Sequence, residues 1–149
     1  MDIQLRRAVM SDAEAVLNWR NDEETRKNSF SKDKISLDTH KKWFEKKLSD
    51  KNCVMYILMA DEKPAGCIRV DMVDRIGEIS YMIAPDMRRK GLGDMMLTLI
   101  DAYVPENVKV LTGFVDSKNI PSAKCFENNE YTKLIAGDTF CFIKLLEVI

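Results

Sequence analysis

PDMRRKGLGDMMLTLIDAY, residues 85–103, crowds three consecutive cations, Arg88, Arg89 and Lys90, against Gly91 and Gly93 ahead of an amphipathic run. From Leu92, apolar residues recur at Met95, Met96, Leu99, Ile100 and Tyr103, the spacing of one buried helical face. A helix N-terminus offers backbone N–H groups without intrahelical partners and the positive end of the dipole. Gly91 and Gly93 let the backbone approach an anion with no Cβ in the way, and the three cations add charge-assisted contacts. The stretch reads either as a polyphosphate cradle or as a solvated basic loop. It lacks the Gly-Lys-Ser/Thr ending of a P-loop, and the third glycine of a dinucleotide fingerprint would fall at Met96.

The flanking elements narrow the choice. IQLRRAV alternates apolar and polar from Ile3 and reads as a strand; SDAEAVLNW follows as a helix capped by Ser11 or Asp12. Asn21-Asp22 breaks the chain and recaps a short helical piece over Glu23–Lys27. Ser36 caps LDTHKKWFEKKL, whose stripe is Leu37, His40, Trp43, Phe44 and Leu48. Strands are expected over 53–60, 65–73 and 76–84, separated by tight turns. After the helix that opens near Leu92, VKVLTGFV (108–115) reads as a strand and IPSAKCFENN as a helix with Pro121 in its first turn. Strands over 131–136 and 139–147 meet at Gly137-Asp138. The order β-α-α-β-β-β-α-β-α-β-β predicts an α/β fold with a mixed sheet, antiparallel first, with a parallel pair in the middle.

Composition excludes several classes. A chain of 149 residues is one domain over 1–149 by size, long enough for a core without staples. With 23 basic and 24 acidic side chains, it lacks the cationic excess expected of a nucleic-acid or anionic-membrane binder. No signal-peptide h-region or membrane-spanning run is visible. Cys53, Cys67 and Cys141 lie in apolar strand-like runs, as small buried hydrophobes do; with Cys125 they form no C-x-x-C pair, and a reduced, cytoplasmic protein is expected. The single histidine, His40, has no cysteine or second histidine at ligand spacing, so no metal is expected.

A strand ending in Ile83-Ala84-Pro85, a loop R-x-x-G-x-G and then an amphipathic helix resembles motif A of the GNAT acyl-CoA N-acyltransferase superfamily. Asn119, Ser122 and Phe126 in NIPSAKCFENNEY resemble its second cofactor motif. The resemblance covers essentially the whole chain. It implies a seven-stranded, mostly antiparallel sheet with a splayed central parallel pair, helices on both faces, and acetyl-CoA as cofactor. Arg88, Arg89, Lys90, Gly91, Leu92, Gly93 and Asp94 would hold its pyrophosphate. Met82, Ile83 and Ala84 would offer backbone groups to the pantetheine arm; Asn119 and Ser122 would bond it, and Phe126 would pack beside it.

The chain departs from the family pattern at three places. Phe126 stands where many members carry a tyrosine acid, Glu130 replaces the glycine expected before Tyr131, and Phe114 occupies a strand position where some members place a glutamate. Tyr81 and Tyr131 are the candidate replacements for the acid. Glu78, on the strand before motif A, is the first candidate base, acting directly or through water; His40 is the second.

The segment 18–44, W-R-N-D followed by I-S-x-x-x-H-x-x-W-F, is similar to the acetyltransferases of pseudaminic acid biosynthesis, which act on a UDP-linked 4-amino-6-deoxy sugar. That implies acceptor contacts at Trp19, Arg20, Asn21, Phe30 and His40, a small-molecule amine as partner, and a monomer or homodimer. Two other readings stay open: a peptide N-terminal acetyltransferase, and an acyl-CoA-binding module without catalysis.

Overall fold

A computed structural model describes residues 1–146. The strands are β1 (Ile3–Arg7), β2 (Cys53–Ala60), β3 (Lys63–Val73), β4 (Ile76–Ile83), β5 (Val110–Asp116), β6 (Thr132–Ala136) and β7 (Thr139–Leu145). The helices are α1 (Ala13–Asn21), α2 (Glu23–Asn28), α3 (Leu37–Ser49), α4 (Leu92–Ile100) and α5 (Ile120–Asn128). The observed order is the expected one except that three helices, not two, separate β1 from β2, because the short piece expected over Glu23–Lys27 is a helix of its own, α2. β7 ends at Leu145, one residue short of Leu146, which was expected in the strand, and the expected end at 147 lies outside the described residues.

The strands form one sheet in the order β1-β2-β3-β4-β5-β7-β6, antiparallel at every step except the parallel pair β4 and β5. Helices cover both faces, which is why β2, CVMYILMA, is a nearly continuous buried run rather than an alternating one. On one face Ala13 and Val16 of α1 and Phe44 of α3 pack on Met55, Ile57 and Cys67. On the other, Leu92, Met96, Leu97 and Ile100 of α4 and Ala123 and Phe126 of α5 pack on Ile68, Ile79, Leu111 and Phe142. Successive strand residues point to opposite faces. In β4, therefore, Ile79 and Tyr81 face α4 and α5, whereas Glu78, Ser80 and Met82 face α1 and α3.

Two caps expected from the sequence form, one does not, and Asn119 caps α5 in addition. The Ser36 hydroxyl accepts from the Thr39 N–H at 3.3 Å, Asp22 caps α2 by accepting from the Thr25 N–H at 3.2 Å, and Asn119 Oδ1 accepts from the Ser122 N–H at 3.4 Å. Neither Ser11 nor Asp12 caps α1. The Asp12 carboxylate accepts two bonds from Arg6, at 2.8 and 2.9 Å, and one from the Val9 N–H at 2.8 Å. A buried carboxylate takes a charged partner in preference to one backbone donor. Cys141 is half-buried, unlike buried Cys53 and Cys67, and all four thiols are free.

Candidate active site

β4 and β5 are hydrogen-bonded only from Ile76 and Val110 to Ile79 and Gly113. Beyond that point β4 continues along β3 to Ile83, while β5 follows β7 to the Asp116–Thr139 pair. The two strands part, and the gap is a cleft of about 560 Å³ bordered by Glu78, Ser80, Tyr81, Phe114, Asn119, Ser122 and Phe126. The Ala84 N–H donates to the Ala65 carbonyl at 2.8 Å. Alternation along the strand therefore directs the backbone groups of Ala84 and Met82 to β3, and those of Ile83 and Tyr81 to the gap. Of the expected backbone contacts at 82–84, only Ile83 faces the cleft; Tyr81 joins it.

At the end of β4 a single 3₁₀ turn, Pro85–Met87, leads into the basic loop. Arg89 and Gly91 both have left-handed backbones, with φ of 64° and 75°, a curl that turns successive N–H groups into an anion-binding concavity. Gly91 is the N-cap of α4 and brings no side-chain cap, so the first-turn N–H groups of that helix are uncapped. Arg89 and Lys90 are exposed and have no ion-pair or hydrogen-bond partner among the described residues. Arg88 differs: it is bound to Asp22, Glu24 and Thr25 of the α2 region. The Asp94 carboxylate is taken by the Asn128 and Asn129 amides, each at 2.9 Å, and ties α4 to α5. The donors, the concavity and the adjoining cleft fit a coenzyme A pyrophosphate and its extended arm.

Across the cleft lies Tyr81, whose hydroxyl is 2.9 Å from Ser122 Oγ and whose ring meets Phe126 edge-on at 6.0 Å. Burial pushes the Tyr81 phenol well above its ordinary pKa, so it stays protonated throughout the neutral range. Glu130 has φ of 67°, holding as a glutamate the left-handed conformation that a glycine takes without strain.

A second cavity, of about 190 Å³, opens on the face covered by α1 and α3 and shares Ser29, Ser80 and Tyr81 with the cleft. Its charged lining residues are Arg20, Arg69 and Asp33. The Arg20 and Arg69 guanidinium carbons sit 4.5 and 4.9 Å from the centre of the Trp43 ring. Arg69 is neutralised by Asp71 at 2.7 Å and also donates to Ser80 Oγ at 3.3 Å. Arg20 has no carboxylate within ion-pairing distance among the described residues. Its one polar partner is His40 Nδ1 at 3.2 Å. Burial, and then the Arg69 charge, lower the Arg20 pKa from its usual value.

His40 is fully buried and lines neither cavity. Burial first, then the Arg20 charge, lower its pKa, against an opposing effect from the Ala13 backbone. An arginine only donates, so Nδ1 is the acceptor and the ring proton sits on Nε2, which has no partner. Instead of reaching the acceptor, His40 orients Arg20. Trp19 also lines neither cavity and packs on both cores. The Asn21 amide closes a loop by bonding the Ile35 carbonyl at 2.8 Å and N–H at 2.9 Å. Phe30 is exposed at the cleft. Tyr131 is buried against Phe126 with its hydroxyl unpartnered and outside both cavities, so of the two candidate tyrosines Tyr81 is the one at the gap. Reading the sequence missed Arg69 and Ser80 as cavity residues; the period-2 alternation of β3 and β4 places Arg69 opposite Ser80 and was the available signal.

Comparison with curated protein sequences gives no match. Among solved structures, the chain is similar to the spermidine N-acetyltransferase of Vibrio cholerae in complex with CoA and spermine, with TM-score 0.85 and 18% identity over 96% of this chain and 95% of that one. A domain from Methanocaldococcus jannaschii superposes with TM-score 0.85 and 20% identity over 97% and 99%. The aminoglycoside acetyltransferase AAC(6')-Ib in complex with coenzyme A gives 0.80 and 14% over 97% and 95%. These likenesses bear on the fold. The acetyltransferase (GNAT) domain pattern matches residues 2–132. With that match over most of its length, the chain belongs to the GNAT acetyltransferase family and is an acetyl-CoA-dependent N-acetyltransferase.

Proposed function

We propose that this enzyme acetylates the amino group of an anionic small molecule, a nucleotide-linked amino sugar of the UDP-4-amino-6-deoxy type. The observation that carries the reading is Arg20, a largely buried guanidinium on the wall of the acceptor cavity with no acidic partner among the described residues. A buried charge is costly until it is paired, so the cavity favours an acceptor that brings a phosphate. Spermine and aminoglycosides, the polycations in similar structures, bring charge of the wrong sign.

Acetyl-CoA supplies the activated thioester carbonyl. Arg89, Lys90 and the uncapped first turn of α4 would hold its pyrophosphate, and Tyr81 and Asn119, which line the cleft, would border its arm. Glu78 lies on the acceptor face at the mouth of the gap and takes the proton that the amine loses on forming the amide. The Tyr81 hydroxyl, kept neutral by burial and paired with Ser122, would offer a hydrogen bond to the departing thiolate, which leaves as the anion and takes its proton from water, since Phe126 carries no donor. His40 holds Arg20 in place.

The deciding experiment measures CoA release with the UDP-4-amino-6-deoxy sugar beside spermine, kanamycin and N-terminal peptides. Turnover on the nucleotide sugar is the expected result. Turnover on the polyamine or on peptides alone would discard the acceptor assignment while keeping the reaction. Cofactor binding without turnover on any amine would favour a non-catalytic module. Within this reading, Arg20→Met raises the acceptor KM by roughly 10–100-fold, the value of one or two charge-assisted hydrogen bonds, and leaves the acetyl-CoA KM unchanged. Arg89→Ala combined with Lys90→Ala raises the acetyl-CoA Kd by roughly 10–100-fold, as isothermal titration would show.

A further inference from the structure

Arg88 is the first cation of the loop assigned above to the cofactor, yet both its terminal nitrogens are engaged elsewhere, and two carboxylates offset its charge. Nη1 donates to Glu24 Oε2 at 2.7 Å; Nη2 donates to Asp22 Oδ2 at 2.6 Å and to Thr25 Oγ1 at 2.8 Å. All three partners belong to α2 or its cap, more than 60 residues away in sequence. α2 has six residues and none is buried, so no apolar face of its own fixes it. The segment it opens carries Thr25, Ser29, Ser31 and Asp33 along the acceptor cavity. That segment is tied down at its base, where Asn21 clamps Ile35, and at α2, where Arg88 grips Asp22 and Glu24.

We propose that Arg88 is a positioning residue that couples the cofactor loop to the acceptor cavity, so that ordering the loop around acetyl-CoA also orders residues 22–34. This rests on the loop being the cofactor site. A guanidinium shared between two carboxylates and a hydroxyl has little left to offer a pyrophosphate, and its neighbours Arg89 and Lys90 are free to serve instead. The Arg88 bond also holds the Asp22 carboxyl below the usual carboxylate range, the mark of a pair set in the folded chain. Coupling of this kind is reciprocal: whatever orders α2 from the acceptor side also tightens the cofactor loop.

Amide hydrogen exchange over residues 22–34, with and without saturating CoA, tests the coupling, with CoA affinity measured in parallel by titration calorimetry. In the wild type, CoA slows exchange across the segment. In Arg88→Ala, CoA still binds within about threefold of the wild-type Kd, as expected when a residue gives the phosphate no direct contact, but the protection of 22–34 disappears. Asp22→Asn with Glu24→Gln, which leaves the loop sequence intact, abolishes the protection in the same way. A purely structural role would change exchange equally with and without CoA, and that result overturns the proposal. It is also overturned if Arg88→Ala weakens CoA binding tenfold or more while Asp22→Asn with Glu24→Gln strengthens it, since Arg88 is then a phosphate ligand held in reserve. A wild type that fails to bind CoA removes the cofactor reading as well, and calorimetry reports that before any exchange is measured.

Discussion

Glu78→Gln lowers kcat on the nucleotide-sugar acceptor by about 10²–10⁴-fold, the usual worth of a positioned base, with the acetyl-CoA Kd unchanged within about twofold. Glu78 is exposed at the mouth of the gap, directly beside the place where β4 leaves β5. In register it lies opposite Asp71 on β3 and Thr112 on β5, with its side chain on the acceptor face alongside Ser80. In the proposed mechanism this carboxylate takes the proton of the amine, directly or through one water. The amide has the same shape and accepts no proton, so the variant depends on amine already neutral in solution. Its rate therefore climbs about tenfold per pH unit until the amine's own pKa is passed. An unchanged kcat at pH 7 would move the base to another group.

Gly113→Ala destabilises the fold by about 3 kcal/mol, the upper end of overpacking costs, and lowers Tm by roughly 6–12 °C for a chain of this size. An added Cβ would sit 2.4 Å from Phe126 Cζ and 2.6 Å from Cε1. Neither side has room to yield. Gly113 is paired to Ile79 on one edge and Phe142 on the other. Phe126 is stacked on Phe142 at 5.0 Å and 7°, and Tyr131 meets it edge-on at 5.0 Å. The clash also reaches the site, because Phe126 lines the cleft and abuts Tyr81. Phe126→Leu in the same background removes the nearest ring atoms and returns part of the lost stability, a coupling that thermal melts of the single and double variants measure. Equal Tm values for wild type and Gly113→Ala would mean that the ring swings aside without cost.

The same two strands show how far local pattern reaches. Turn residues, caps and apolar periodicity sufficed for the strand order along the chain, for the helix that starts at Leu92, and for the caps at Asp22 and Ser36, because each is an interaction over a few neighbouring residues. Asp12 misled for a related reason: an aspartate ahead of a helix is chemically equal to a cap until a cation arrives, and here Arg6 arrives. Phe114 and Phe126 were visible as departures from a catalytic pattern. Tyr81 emerged as the hydroxyl at the gap only once β4 and β5 were seen to part at Ile79 and Gly113.

What lay in the chain itself was the α/β fold class, the parallel central pair and the candidate cofactor loop with its glycines and three cations, all written in contiguous residues whose backbone demands are local. Folding chose the partners. Arg88 reached across the chain to Asp22 and Glu24, His40 was enclosed behind Arg20, and Arg20 and Arg69 met over Trp43. Composition is blind to such pairings. A cation's role depends on which carboxylate lies within about 4 Å of it, and that distance is set by how helices pack on the two faces of the sheet.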